Sequence, residues 1–544
     1  MKNQNRLGAL RAGLIASVVA IAVASPAAAA ALKTSIVPGI VAQHRVVPVG
    51  AVDPSIHLRL QVVLPMRNLA ELRSLLDNQI YNPNSVLYRH YLSVAEFAER
   101  FGPTQSDYDA AMKFFNAGGL SVTHTQANRY MFQVEGRASD VERALNIKLN
   151  LFKHPTENRN FMAPDREPTL ALDVPVLSIT GLNNFQLPFP KFIRSADNGG
   201  QRSGTGSGPG GNFIGSDFRA AYYGTGNKAK LIGTGQSVGL MELEGYIPSD
   251  IPLYFKTFNE PLNVPVNGIS VDGTAVNCGN CDDGEQTLDI DYSISMAPGL
   301  DQVQVYVAQD PVAIEEQIAS DDTSKQLSTS WGYNEDFDVE DPIYQEMAAQ
   351  GQSWFTASGD DVTLQRSGPW PEEDANIIAV GGTDLVTHGA GGKWASEPGW
   401  VDSASGPSVD QNIKIEPYQL PYITKKNKGS TTLRNVSDVS ANANFDMMVC
   451  AQGSCGGGVG GTSFSSPMWA GFAALANQQA VSQGKSEIGF INPILYPAYK
   501  GNPKMTHDVV GNSSGIYPAV KGYDLVGGLG SPNGKKTIDV LIGK

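Results

Sequence analysis

Histidine is nearly missing from the part of this chain that is richest in acid. The 544 residues include seven histidines, five of them before position 155, and only His388 and His507 follow. A reaction centre in the C-terminal part therefore has little imidazole to use as a base. Charge is sparse as well, at 17% of residues, with 40 Lys+Arg against 54 Asp+Glu. A net charge of −14 leaves no general basic field for a nucleic-acid partner. There are four cysteines, too few to build a disulfide scaffold. Beyond the N-terminus no segment reaches eighteen consecutive apolar residues, which excludes a membrane-spanning helix in the body of the chain. The 58 Gly and 33 Pro are scattered among apolar runs, excluding collagen-like and wholly disordered classes. With 41% hydrophobic residues, the length implies a globular chain of two or more domains.

The negative charge has a location. Residues 1–211 carry 21 Lys+Arg and 15 Asp+Glu, whereas residues 212–544 carry 19 and 39, net −20. The two parts are expected to attract each other. Residues 1–31 read as a secretory signal peptide, with Lys2, Arg6 and Arg11, an apolar run from Leu14 to Ala24, and small residues around an expected cleavage at Ala29 to Ala31. A short membrane anchor is the alternative. Export permits disulfides.

Residues 32–196 read as an α+β unit, since "LRLQVVLPM" and "RYMFQVEG" alternate like strands. "NLAELRSLLDNQI", "SVAEFAERF", "QSDYDAAMKFFNAGG" and "ASDVERALNI" have helical spacing, and a Ser or Thr stands at the start of each of the last three. The tract at 197–211, "DNGGQRSGTGSGPGG", reads as a flexible linker. From 212 to 544 short buried-strand runs alternate with helices, which predicts α/β architecture with a mostly parallel sheet. Chemistry on such a sheet gathers at the carboxyl ends of its strands.

Two motifs point to chemistry. "GVGGTSFSSPMW" sets Ser463 after a glycine-rich turn at the start of a long apolar helix, near free N–H groups and the positive end of the helix dipole. That suits a nucleophile whose attack creates an oxyanion; an ordinary helix cap is the alternative. Ser465 stands where the "GxSxG" elbow of esterases needs glycine, so that class is disfavoured. The serine needs a base. His388 lies in a glycine-rich loop and His507 beside Asp508, and neither is well placed. In "GEQTLDIDYSISMA", Glu285 and Asp289 share one face of a predicted helix, a turn apart. Either they share a proton and form a base suited to acid, or the helix presents a solvated acidic face. Asp291 points elsewhere.

Together these motifs resemble the sedolisin family of serine-carboxyl peptidases, kumamolisin-like members in particular. "GEQTLD" is similar to the family's catalytic helix, "GGTSFSSP" to its Gly-Thr-Ser-x-x-x-Pro motif, "FTASGDD" to its oxyanion segment and "STSWG" to its substrate-facing strand. "LYRHYLSVAEFAERFGPT" resembles the activation domain of the same family, so the likeness spans nearly the whole chain after residue 31. The resemblance implies a subtilisin-like catalytic domain at 212–544 behind an activation prodomain at 32–196. It implies Ser463 as nucleophile, Glu285 as general base and acid, Asp289 as its orienting carboxylate, and a protonated Asp360 as oxyanion donor. Glu242 and Trp331 correspond to a supporting pair, and Ser328, Ser330 and Gly332 to the substrate-binding strand. It further implies one calcium ion held by Asp508 and Asp524 side chains and by the carbonyls of Val509, Val520 and Gly522; two solvated turn aspartates are the local alternative.

"CGNC" (Cys278, Cys281) and "CAQGSC" (Cys450, Cys455) allow three pairings, a zinc site or a redox motif, with local disulfides favoured. The resulting expectation is a secreted, monomeric zymogen, extracellular or periplasmic, whose prodomain chaperones and inhibits an endopeptidase acting on protein or peptide substrates in acid. A silent binding protein of the same fold is the rival. Protonating carboxylates of the acidic part is expected to loosen the prodomain, with cleavage between residues 190 and 211 following.

Overall fold

The computed structural model describes residues 30–32, 34–194, 204–224, 231–334, 336–364 and 371–544. The expected signal peptide, except its last residues, and residues 197–203 of the expected linker lie outside the described residues. Among the described residues no helix is long and apolar enough to cross a membrane.

Seven strands form one sheet in which every neighbouring pair is parallel. In spatial order they are Val266–Ser270, Gln302–Val307, Ser237–Glu242, Gln326–Thr329, Ser353–Ala357, Ile378–Thr383 and Val439–Asn442. The five middle strands are the apolar runs read from the sequence. The two edge strands were not anticipated, because "VNGIS" alternates toward solvent and "VSAN" is too polar to read as buried, although all four of its residues are buried. The strand order reverses at the neighbours Ser237–Glu242 and Gln326–Thr329, so their carboxyl ends open a crevice. The helices Gly284–Met296 and Ser465–Ser482 pack against each other, and the latter also lies on the central strands.

The N-terminal unit is a four-stranded antiparallel sheet, in which His57–Val63 pairs with Met131–Arg137 and Ser178–Thr180, and Ser121–Thr125 closes one edge. Its helix Val94–Arg100 starts with a capping box between Ser93 and Glu96, and Gln105–Ala117 starts under the Thr104 hydroxyl. Ala138–Leu145 departs from expectation. Arg137 precedes it, Ser139 lies inside it, and Asp140 is held by Arg137 and Arg143.

This unit sits on the helices Pro311–Asp321 and Phe337–Ala349. Tyr81 donates to the Ala348 carbonyl, Tyr130 to the Val339 carbonyl and Asn128 to Glu346, each at 2.7 Å. Apolar residues from both units, such as Leu72, Phe97, Ile343 and Met347, belong to one continuous core. Burial therefore contributes most of the attachment. Three ion pairs cross between the units and the segment that joins them among the described residues: Arg73–Glu416, Lys191–Glu372 and Arg194–Asp282.

Two carboxyl groups at this interface work against the expectation that acid loosens the prodomain. Glu316 and Glu346 lie buried against Asn128, and burial raises both, Glu346 to about 8. Taking them out of water favours the protonated form, so acid tightens these contacts. The same sign governs overall stability. Asp360 and Glu373 are raised to about 7, and Glu315 to about 8, each mainly by burial. Their contribution is complete below the ordinary carboxylate range, near pH 4, and is lost as pH rises through about 7 to 8. Urea unfolding of the full-length chain should need more denaturant at about pH 5 than at about pH 8; an unchanged midpoint would contradict this.

The Gly/Ser tract is only partly a linker. Pro209–Gly211 form a short helical turn, and the Ser207 amide and hydroxyl both donate to Asp217. Residues 204–211 are thus folded onto the C-terminal unit. The cysteines pair locally, Cys278 with Cys281 and Cys450 with Cys455.

Candidate active site

Every residue of the helix Gly284–Met296 is buried, including Glu285 at 1% and Asp289 at 0% exposure. A solvated acidic face is excluded. At the end of the first sheet strand, Glu242 accepts a hydrogen bond from the Trp331 indole at 2.8 Å. Glu242 and Asp289 interact through their carboxyl groups, and Asp289 Oδ1 also accepts from the Ser330 hydroxyl at 2.7 Å. Burial raises Glu242, Glu285 and Asp289 well above the carboxylate range. For Glu285 the nearby charge of Asp289 adds to the rise, while Ser463 opposes it. Close carboxyl groups in a dry site cannot all ionise, so the cluster retains protons and titrates as a unit.

Ser463 lies in the short turn Thr462–Phe464 that leads into Ser465–Ser482, and it is fully buried. Neither its hydroxyl nor either Glu285 oxygen has a hydrogen-bond partner of good geometry. The two groups are neighbours close enough for Ser463 to favour the charged form of Glu285.

Asp360 follows the strand Ser353–Ala357. Its Oδ1 accepts from the Thr462 amide and the Thr462 hydroxyl, both at 2.8 Å, and Oδ2 is buried without a partner. Burial pushes it up to about 7. Below that pH the carboxyl is neutral, and the proton belongs on Oδ2 because Oδ1 is already an acceptor twice over. Gly461 makes the approach possible. Its φ is 142°, and a Cβ there would stand 2.7 Å from both Asp360 Oδ2 and the Lys191 carbonyl.

Of the residues expected on the substrate strand, Ser330 and Gly332 border the crevice. The Ser330 carbonyl accepts from the Lys191 amide at 3.0 Å, and Gly332 pairs with Phe189. Ser328 does not. Its hydroxyl bonds Ser466 at 2.8 Å in the core, under the helix Ser465–Ser482 that packs on this strand. His388 is exposed, and His507 stacks on Trp394 with its ring pushed down to about 4 by burial. Sequence reading missed Thr462 as the support of Asp360, and it missed the contribution of residues 189–194. The only signal was Lys191, a lone cation among aromatic and proline residues.

Asp508 and Asp524 lie in the C-terminal loops, near enough for the charge of one to act on the other. Asp508 accepts from the Gly522 amide, and Asp524 accepts from the amides of Val520, Val526 and Gly527. Burial raises both, and the charge of Asp508 raises Asp524 further. Two carboxylates drawn into one glycine-containing loop, with carbonyls of Val509, Val520 and Gly522 nearby in sequence, are a hard-oxygen donor set that fits calcium.

Residues 45–185 match the family model "Pro-kumamolisin, activation domain". The chain is 27% identical to kumamolisin of Bacillus sp. (strain MN-32), over 84% of this chain and 86% of that protein. It is 25% identical to sedolisin of Pseudomonas sp. (strain 101), over 86% of this chain and 84% of that one. A solved structure of Pseudomonas sedolisin, a serine-carboxyl proteinase complexed with pseudo-iodotyrostatin, covers 60% of this chain and 96% of its own. Its TM-score is 0.52 at 24% identity, a likeness of fold. The chain is thus similar along most of its length to the peptidases kumamolisin and sedolisin, and its N-terminal unit matches the activation domain of pro-kumamolisin.

Proposed function

We propose that the chain is the precursor of a secreted, acid-acting endopeptidase. Ser463 Oγ attacks the carbonyl carbon of the scissile peptide bond and passes its proton to Glu285. Asp289, set by Ser330 and Glu242, orients Glu285 and steadies its charge. Asp360 donates from Oδ2 to the oxyanion, a role open to a carboxyl group only while it is neutral. Glu285 then protonates the leaving amine, and water releases the acyl group by the reverse proton path. Glu285, Asp289 and Glu242 titrate as one cluster, and the base in acid is the single carboxylate charge that the cluster shares.

The observation that carries this reading is the convergence of Ser463, Glu285, Asp289 and Asp360, from three separate elements, at the carboxyl ends of the parallel strands. A silent binding protein would have no use for a buried carboxylate cluster beside an unpartnered serine. Purified precursor brought to about pH 4 should process itself and digest denatured protein, and do both far more slowly near pH 7. Equal processing at both pH values would overturn the acid part, and digestion unaffected by Ser463→Ala would overturn the peptidase reading. Export through residues 1–31 is tested by the N-terminus of protein recovered outside the cell.

Calcium belongs to the proposal as a structural ion at Asp508 and Asp524, pinning the C-terminal loops. Chelation should lower the melting temperature by about 5 °C or more, and Asp524→Ala should remove that sensitivity. A chelator without effect on the wild-type protein would exclude the ion.

A further inference from the structure

Residues 189–194, which join the prodomain to the Gly/Ser tract, run through the crevice as a peptide substrate would. Phe189 and Pro190 pair antiparallel with Gly332 and Trp331, and the Lys191 amide donates to the Ser330 carbonyl. Beyond the site, Ile193 and Arg194 pair antiparallel with Gly460 and Val459. The backbone is thus gripped on both sides and crosses the reacting groups at Lys191 and Phe192. The Lys191 carbonyl oxygen and Asp360 Oδ2 flank the same point above Gly461. This is where an oxyanion would form.

The Lys191 side chain enters a closed pocket and is 4% exposed. Its ammonium lies 2.6 Å from Glu372 Oε2 and donates to the Ala357 carbonyl at 2.9 Å. Glu372 is fully buried, and its other oxygen has no hydrogen-bond partner. Among the described residues the other cation acting on it is Arg434, which is held by Asp438, while Glu373 is its acidic neighbour. Without a cation from the peptide, the carboxyl at the pocket floor is left in a dry site with nothing to satisfy it.

We propose that Lys191–Phe192 is the bond the precursor cleaves in itself, and that Glu372 makes the same pocket select lysine or arginine on the N-terminal side of the scissile bond in substrates. The proposal rests on the peptidase reading above. In this step Ser463 Oγ adds to the Lys191 carbonyl carbon and its proton moves to Glu285. The carbon–nitrogen bond to Phe192 breaks as Glu285 returns the proton to that nitrogen. Water then hydrolyses the Ser463 ester, leaving a carboxyl group on Lys191, a free amine on Phe192 and the serine restored. A pocket built to pair a buried charge discriminates more sharply than an apolar one, because the wrong side chain leaves the protein's own polar group unpaired.

Intact-mass analysis of acid-treated precursor should show a prodomain fragment ending at Lys191. Lys191→Arg should process at a similar rate, and Lys191→Glu should stop processing at this bond. On matched peptides, the processed enzyme should turn over Lys or Arg at that position with kcat/KM at least about 50-fold above Leu. Glu372→Gln should lower the Lys and Arg values by about 10- to 100-fold while the Leu value stays within about threefold. Because the Leu peptide reports the common chemistry, a misfolded variant would lower all three. Equal turnover of Lys and Leu peptides by a wild type that Ser463→Ala silences would overturn this inference and leave the peptidase reading standing. A wild type inert on every peptide would overturn both.

Discussion

Ser463→Ala should reduce digestion of denatured protein in acid by about 10⁴- to 10⁶-fold, and Glu285→Ala should come close to it. The two act as a unit, so the double variant should be little worse than either alone. The reason is structural. Ser463 is buried at the head of its helix with no hydrogen-bond partner, and Glu285 is the carboxylate beside it. With no base the hydroxyl stays a weak nucleophile, and with no hydroxyl the raised pKa of Glu285 has no proton to receive. Asp289→Asn should cost less. Asp289 touches Ser330 and Glu242 and acts on the serine only through Glu285, so it is a positioning residue. Its loss should also move the acid limb of the pH profile, because Asp289 is the main neighbouring charge that raises Glu285. Comparable single-turnover rates for wild type and Ser463→Ala would end the assignment.

Asp360→Ala should lower kcat by about 10²- to 10³-fold with little change in KM, the cost of one oxyanion donor. The pH profile supplies a second, sharper test. Asp360 is raised to about 7, so in the wild type the neutral donor is present below that value and lost as pH climbs through it. Activity should therefore fall on the alkaline side near pH 7. Asp360→Asn keeps a neutral donor at every pH, so that limb should move upward even if the maximal rate is lower. An alkaline limb unmoved by Asp360→Asn would mean that another group sets it, and Asp360 would lose its assigned role.

These tests concern residues that were legible in the chain for different reasons. Glu285 and Asp289 stood out by their helical spacing, and Ser463 by the glycine-rich turn before a long apolar helix. Spacing alone could not separate a catalytic pair from a solvated acidic face. Burial excludes the solvated face, and burial depends on what packs over the helix. Ser328 shows the same limit from the other side. It belongs to the substrate-facing strand in sequence, yet its hydroxyl meets Ser466 in the core, under a helix that comes from far along the chain. The polar edge strand Val439–Asn442 escaped notice because its burial comes from neighbours far along the chain.

The charge split invited a simple account in which acid breaks an electrostatic clasp. Three ion pairs bridge the parts, while Glu316 and Glu346 become easier to protonate where the prodomain covers them. Protonation favours the docked arrangement at these two positions and weakens the ion pairs, so the charge split alone does not set the response to acid.

By itself the sequence determined the chemical repertoire and the alternation that makes a parallel sheet. Those follow from side-chain type and local periodicity: a near absence of histidine, a carboxylate pair one helical turn apart, a serine after glycines, and apolar runs of strand length. The tertiary structure decided which carboxyl groups are dry, which strand residues face the crevice, and where Lys191 goes. Each of these depends on surfaces contributed by segments hundreds of residues apart, as when Lys191 meets Glu372 in one closed pocket. No local pattern encodes that meeting, because its energy exists only after water has been excluded from both sides at once.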